Sequence, residues 1–466
     1  MINETIFDLF ENVQVGFLVD SAKAVAGDIR LDSSHFVDDS NIVLNENIKF
    51  TTLRTFIDDV EEPKLFTRIY CDKEFGVPYI SSSEMSEIEP PVNSRFISKT
   101  LTSNINQYII KRGQVLVSAA GTVGSIVLAT KELDGVAGTS DILRINVDKQ
   151  TNLGFVFTYL TSSFGANELA NLAYGAIIKR VRGFQLAQLK TPLIANKSIL
   201  QMNKLVLAAL DKRDEANMIT KEAMYLIFKF NNLPYFTESE LNHISYKVTN
   251  LIEFNEDYRL DAHFYNPLAE LAVCNIKSHS PSFKNLFDVA DCSFKGSRSI
   301  RNYVDKAHGV PFLSGKNIIQ IRPDFKHISK TETSNLGDMI VEKNQILISR
   351  SGTLGRTVFV WNNYENCAAS EHLIRVVPNA DLVDEGYLYA FLSSDYGYHQ
   401  LLRYKHGSVI DEITEDQISQ SVIPLPTDKQ QKQIGDLVRQ AYDLRAEAIR
   451  LEDEAQTLLT QALTKE

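Results

Sequence analysis

Cysteine is scarce. The four residues Cys71, Cys274, Cys292 and Cys367 are spread over 466 positions and form no CxxC pair. That excludes a disulfide framework and a cysteine-based zinc site, and leaves reduced structural thiols as the expectation. Long apolar runs are missing too: no stretch approaches ~18 uninterrupted apolar residues, so no spanning helix is expected. The start, MINETIFDLFENVQVGF, lacks a basic segment followed by an apolar one, so it does not read as a signal peptide, and a cytoplasmic protein is expected. Nor is there an excess of positive charge. Lys and Arg number 48 against 59 Asp and Glu, a net charge of −11. A uniformly basic nucleic-acid binder is excluded, and any such site must be a local patch on an acidic body. With 44% hydrophobic and 23% charged residues, the chain has the composition of a folded globular protein.

Catalytic signatures are also lacking. The segment GVPFLSGKN from Gly309 to Asn317 has one residue too many for a phosphate-binding loop, and Asn where the magnesium-ligating hydroxyl belongs. No HExxH or GxSxG occurs, and the nine histidines show no ligand spacing. His35 and His263 occupy matching places after Arg-Leu-Asp, but nothing nearby supplies the partner that general-base work needs. They are read as packing or capping residues, and the chain as non-catalytic by itself, with no metal site.

What is present is a duplication. Length alone suggests about three domains at ~150 residues each. Self-similarity argues instead for two units. IRLDSSHF at 29–36 recurs as YRLDAHF at 258–264, FGVPYIS at 75–81 as HGVPFLS at 308–314, and ISKT at 97–100 again at 328–331. GQVLVSAAGTVGSIVL at 113–128 matches NQILISRSGTLGRTVF at 344–359, and GFVFTYLTSSFG at 154–165 matches GYLYAFLSSDYG at 386–397. The offsets stay between 229 (259 − 30) and 233 (309 − 76), about half the chain.

Each unit ends in a heptad segment. In the first, Val206, Ala209, Ala216 and Ala223 hold the alternating three-four spacing; in the second, Leu437, Ala441, Leu444, Ala448, Leu451, Ala455 and Leu458 do. Such a run predicts coiled-coil helices, with alanine at every seventh place letting two axes approach closely. About 32 residues make a rod of roughly 48 Å. The expected fold is therefore α+β: two tandem recognition heads at 1–197 and 233–426, with helices at 198–232 and 427–466 forming an antiparallel coiled-coil spacer. Within each head, the β-rich runs Gln114–Ser118 and Gln345–Ser349 lead into Gly-Thr-x-Gly, a strand, glycine turn and strand.

Two heads on a rigid spacer suit a ligand with two spaced sites, and duplex DNA repeats every ~34–36 Å. Candidate DNA contacts are Lys179, Arg180 and Arg182 in the first unit, and Lys295, Arg298, Arg301, Arg350, Ser351, Thr353, Arg356, Arg403 and Lys405 in the second. Arg and Lys grip phosphates or bind guanine edges.

These motifs resemble the specificity subunits of type I restriction–modification systems. Arg-Leu-Asp at 30–32 and 259–261, GQVLVSAAGTVG, NQILISRSGTLGR and GSVIDEITEDQISQSVIPLPTDKQQKQI carry the resemblance. It implies two target-recognition domains, each reading one half of a split DNA site, and spacer helices that dock two methyltransferase (modification) subunits. Those partners would bind S-adenosylmethionine and methylate adenine, with motor–nuclease subunits joining for cleavage; this chain would bind no cofactor directly. The copies differ where reading would occur. Ser118, Ala119 and Ala120 stand where Ser349, Arg350 and Ser351 stand, Ser125 replaces Arg356, and the basic 179–182 cluster faces the acidic Asp411 and Glu412. An asymmetric bipartite target is expected. Two alternatives stay open: the specificity subunit of a non-type-I methyltransferase system, and an enzyme with a pocket between its heads.

Overall fold

The computed structural model describes residues 45–91, 95–120, 124–148, 151–172, 180–237, 240–241, 264–293, 301–407 and 409–464. The Arg-Leu-Asp motifs, His35, His263, Lys179, Lys295 and Arg298 lie outside them.

The first unit contains β1 (Phe50–Thr52), β2 (Asp59–Glu61), β3 (Gly76–Ile80), β4 (Phe96–Ser98), β5 (Val115–Ser118), β6 (Ile126–Leu128), β7 (Ala137–Gly138), β8 (Ile142–Asn146) and β9 (Lys190–Pro192), with helices α1 (Leu153–Thr161), α2 (Ser163–Leu172), α3 (Gly183–Ala187) and α4 (Asn196–Phe230). The second contains β10 (Phe283–Asn285), β11 (Ala290–Ser293), β12 (Tyr303–Val304), β13 (Gly309–Leu313), β14 (Lys326–Ser329), β15 (Ile346–Ser349), β16 (Thr357–Phe359), β17 (Ala368–Ala369), β18 (Leu373–Pro378) and β19 (Val422–Pro424). Its helices are α5 (Pro267–His279), α6 (Leu286–Val289), α7 (Leu336–Met339), α8 (Glu385–Ser393), α9 (Asp395–Arg403), α10 (Glu415–Ser419) and α11 (Asp428–Leu463).

The duplication is structural. An antiparallel sheet of order β2-β8-β5-β6 in the first head reappears as β11-β18-β15-β16 in the second. A smaller sheet β4-β3-β7 reappears as β14-β13-β17 with β12 added at its edge. The apolar run of β5 needs no polar face, because Val115 and Val117 enter the core beneath α1 while Leu116 enters a second core with Ile80 and Met85. Turns match even where residues differ. Gly113 and Asn344, and likewise Gly135 and Asn366, hold the same left-handed position, which asparagine tolerates better than other side-chain-bearing residues.

Helices α4 and α11, 35 and 36 residues long, pair antiparallel. At 1.5 Å per residue each is a rod of about 52–54 Å. The two helices also complete the heads. The first head's core takes Ile199, Val206 and Leu210 from the start of α4 and Ala455, Leu459 and Leu463 from the end of α11. The second head's core takes Ala223 and Ile227 from the end of α4 and Ile434, Val438 and Tyr442 from the start of α11. Val206, Ala209, Ala216, Ala223, Ala441, Ala448 and Ala455 are fully buried, as the heptads require. The leucines of α11 depart from expectation: Leu437, Leu444, Leu451 and Leu458 are only half-buried, while Val438, Glu452 and Leu459 are buried beside them. The buried face of α11 meets α4 and a head at once, so it is wider than a coiled-coil seam and centred on the alanines. Among the described residues, no helix is long and apolar enough to cross a membrane.

Candidate nucleic-acid interface

The glycine turn between β15 and β16 is built from the backbone outward. Gly352 and Gly355 adopt φ of +75° and +73°, which a side chain would strain. The Gly355 N–H donates to the Ser349 carbonyl at 3.0 Å, and the Arg356 N–H donates to the Ser349 hydroxyl at 3.0 Å. Leu354 is buried and anchors the turn, while Gly352 and Thr353 form its exposed tip. His406 and Glu412 exchange paired backbone bonds, and this segment meets the turn where Ser351 bridges Glu412 and the Ile413 N–H donates to the Arg350 carbonyl at 3.0 Å.

Side chains on this frame form a linked polar belt. Arg350 pairs with Glu412 at 3.4 Å, and Lys405 with Asp411 at 2.6 Å. The Ser351 hydroxyl lies 2.6 Å from His372 Nδ1, and His372 Nε2 lies 3.6 Å from Glu371, which Arg301 also holds. Arg301 stacks over the Phe312 ring at 5.0 Å. Burial pushes the Glu371 carboxyl up, but its hydrogen bonds and the Arg301 guanidinium outweigh that and hold it below the usual carboxylate range.

In the first head Gly121, Thr122 and Val123 lie outside the described residues, but the backbone contacts beside them repeat while the chemistry changes. The Val181 N–H donates to the Ala119 carbonyl as Ile413 does to Arg350, and the Ala119 N–H donates to Asp141 as Arg350 does to His372. Ala120 bridges Arg180 where Ser351 bridges Glu412. Here the loop residue is the cation: Arg180 pairs with Asp141 at 3.0 Å, and Arg182 with Glu62 at 3.0 Å. The loop and sheet have exchanged the sign of their charges between the two heads.

The structure thus gathers Arg180 and Arg182 in one head, and Arg301, Arg350, Ser351, Thr353 and Lys405 in the other. It does not bring Arg356 and Arg403 to that face. Arg356 reaches Glu87 of the first head at 3.4 Å, and Arg403 donates to the Phe264 carbonyl and lies over its ring at 4.4 Å. Sequence reading singled out Asp411 and Glu412 but missed Glu62, Asp141 and Glu371, which hold these cations, and His372, which meets Ser351. The only local signal was that Asp141 and His372 occupy matching places, one residue before β8 and β18 gain their apolar run. Among the described residues, no group of three His, Cys, Asp or Glu could hold a metal ion.

Residues 282–454 match the family model described as the type I restriction modification DNA specificity domain. Among solved structures, the chain is similar to the S subunit of a type I restriction–modification system from M. genitalium, at 15% identity over 91% of this chain and 99% of that one, with a TM-score of 0.35. It is likewise similar to the HsdS subunit from Thermoanaerobacter tengcongensis, at 16% identity over 92% of this chain and 99% of that one, with a TM-score of 0.28. No curated protein matches it.

Proposed function

We propose that this chain, whose residues 282–454 match the model of the type I restriction modification DNA specificity domain and whose first half repeats the architecture of the second, is the DNA-recognition subunit of a modification complex. One observation carries the bipartite reading: the loop–turn contact recurs on the same backbone frame in both heads, but with Arg180–Asp141 in one and Arg350–Glu412 beside Ser351–His372 in the other. Phosphate contacts position a protein, whereas donors and acceptors at base edges choose sequence. Two frames with exchanged donors and acceptors would read two different half-sites. On meeting DNA, the arginines would exchange a carboxylate for a phosphate or base edge, a swap that keeps the acidic body from binding duplex indiscriminately.

The helix pair is the docking surface for two methyltransferase subunits in this reading. Leu444 and Leu451, seven residues apart and partly exposed, offer an apolar contact for a partner helix, while Leu437 and Leu458 pack against the two heads. S-adenosylmethionine would sit on those partners, motor–nuclease subunits would add cleavage, and the complex would work in the cytoplasm. The rival, an enzyme with an inter-head pocket, has little support. The cavity lined by Arg213, Tyr442 and Arg445 holds about 30 Å³, room for a water or two. In the wider groove beside it, about 310 Å³, Glu89 and Glu132 are each tied to a cation, Arg445 and Lys221. The test is methyl transfer from labelled S-adenosylmethionine to DNA, by the chain alone and with its methyltransferase. Transfer only in the mixture is expected; transfer by the isolated chain would refute the reading.

A further inference from the structure

Two loops meet where the halves of the chain face each other. The Ile88 N–H donates to the Ile319 carbonyl at 2.7 Å, the Ile321 N–H donates to the Ser86 carbonyl at 2.8 Å, and Glu87 sits opposite Gln320 in an antiparallel bridge. Glu87 and Gln320 are 233 residues apart (320 − 87), the same offset as Gly76 and Gly309. Each loop is therefore joined to its own counterpart, and an approximate twofold axis passes through the strap.

Ion pairs flank that axis on both sides. Glu87 reaches Arg356 on the second head's glycine turn at 3.4 Å. Glu89 reaches Arg445 of α11 at 3.4 Å, and Arg445 donates to Thr220 of α4 at 3.1 Å. The counterpart of Glu89 is Arg322, which reaches Glu452 at 3.1 Å and also pairs with Asp453. Arg213 corresponds to Arg445, and Thr220 to Glu452, each 232 residues on. One frame is thus used twice with opposite charge at the loop: Glu89, Arg445 and Thr220 on one side, Arg322, Arg213 and Glu452 on the other.

We propose that this strap, and not the helix pair alone, fixes the separation and angular phase of the two heads, and with them the number of unread base pairs between the half-sites. Paired helices of this length bend gently, and a head at each end would magnify the bend. One base pair is ~3.4 Å along the duplex and about a tenth of a turn around it, so a direct head-to-head link held by bonds of hydrogen-bond length resists a shift of that size. The positioning claim stands on the contacts themselves; its consequence for the gap rests on the chain being a DNA-recognition subunit.

The test uses the full chain carrying Cys71→Ser and Cys274→Ser, with spin labels at Lys99→Cys and Lys330→Cys, exposed equivalent positions on the two heads. Pulsed electron–electron resonance should give one narrow distance for this parent. Glu87→Arg, and separately Ile321→Pro, which removes one strap donor, should broaden it, and Glu87→Arg with Arg356→Glu should narrow it again. With the methyltransferase present, the parent should methylate sites of one gap length, and Glu87→Arg should also accept gaps one base pair longer or shorter. An unchanged distance distribution in both strap variants overturns the proposal, and so does a broadened distribution with the single gap retained. Failure of the parent to methylate any specific site would count against the DNA reading, while the distances would still decide whether the strap positions the heads.

Discussion

Arg213 of α4 and Glu452 of α11, 239 residues apart in sequence, face each other across the helix pair with Nη2 3.0 Å from Oε2 and a second contact beside it. Both side chains are buried, and Arg322 reaches the same carboxylate from the second head. Removing one partner leaves an uncompensated buried charge, so Glu452→Ala should cost about 3–5 kcal/mol. Replacing the pair with apolar residues, Arg213→Met with Glu452→Leu, should recover most of that loss. Urea unfolding of the two variants measures the contrast.

Glycines mark where a head helix crosses a spacer helix. A Cβ at Gly154 would fall 2.3 Å from the Asn203 Cα, and one at Gly386 would fall 2.8 Å from the Gly435 Cα. Backbone cannot yield there as a side chain can, so Gly154→Ala and Gly386→Ala should each destabilise by at least ~1–3 kcal/mol. Gly337 in α7 meets nothing within 4 Å, and Gly337→Ala should be neutral or stabilising by up to about 1 kcal/mol. Thermal unfolding of the three variants checks the ranking.

Burial pushes the thiols of Cys292 and Cys367 up to about 12. The thiolate is the reactive form, so iodoacetamide at neutral pH should leave both untouched in the folded chain. Exposed Cys274 should be labelled readily. Peptide mass mapping before and after denaturation reads this out, and fast labelling of Cys367 in the native state would contradict the packing described.

His399 of α9 lies edge-on to Phe236, ring centroids 5.5 Å apart. Burial lowers its pKa from 6.5, with Asp395 pulling partly the other way. The folded state therefore holds this proton less tightly than the unfolded chain. Its contribution is fully present above pH 6.5 and is lost as pH falls toward the lowered value. Denaturation midpoints should decline from pH 7.5 to 5.5, and His399→Gln should flatten that decline.

The repeat, the two long helices and the strand–glycine–strand turn were legible in the sequence, because each is written in local spacing: heptads, alternation, and residues suited to left-handed backbone. The antiparallel pairing followed from the shared alanine rhythm. The carboxylate partners of the arginines were not legible. Glu412 stood out only as an acidic swap, and Asp141 only by its match to His372. Glu371 and Glu62 come to their cations only through tertiary approach, and nothing in their own neighbourhoods announces it. The same is true of Glu87 and Arg356, 269 residues apart, which is why Arg356 reads in sequence as a candidate DNA contact and stands in the structure as a link between heads. The leucine row of α11 misleads for another reason: a heptad reports one seam, and this helix has two neighbours.

The central claim is that two unlike heads on one frame read two unlike half-sites. Mapping every methylated adenine in the DNA of cells that express this chain with its methyltransferase tests it most directly. One asymmetric motif is expected, two different specified segments separated by a fixed stretch of unspecified bases, with Arg350→Ala degrading one segment and Arg180→Ala the other. A palindromic or uninterrupted motif, or loss of both segments from either substitution, would contradict it.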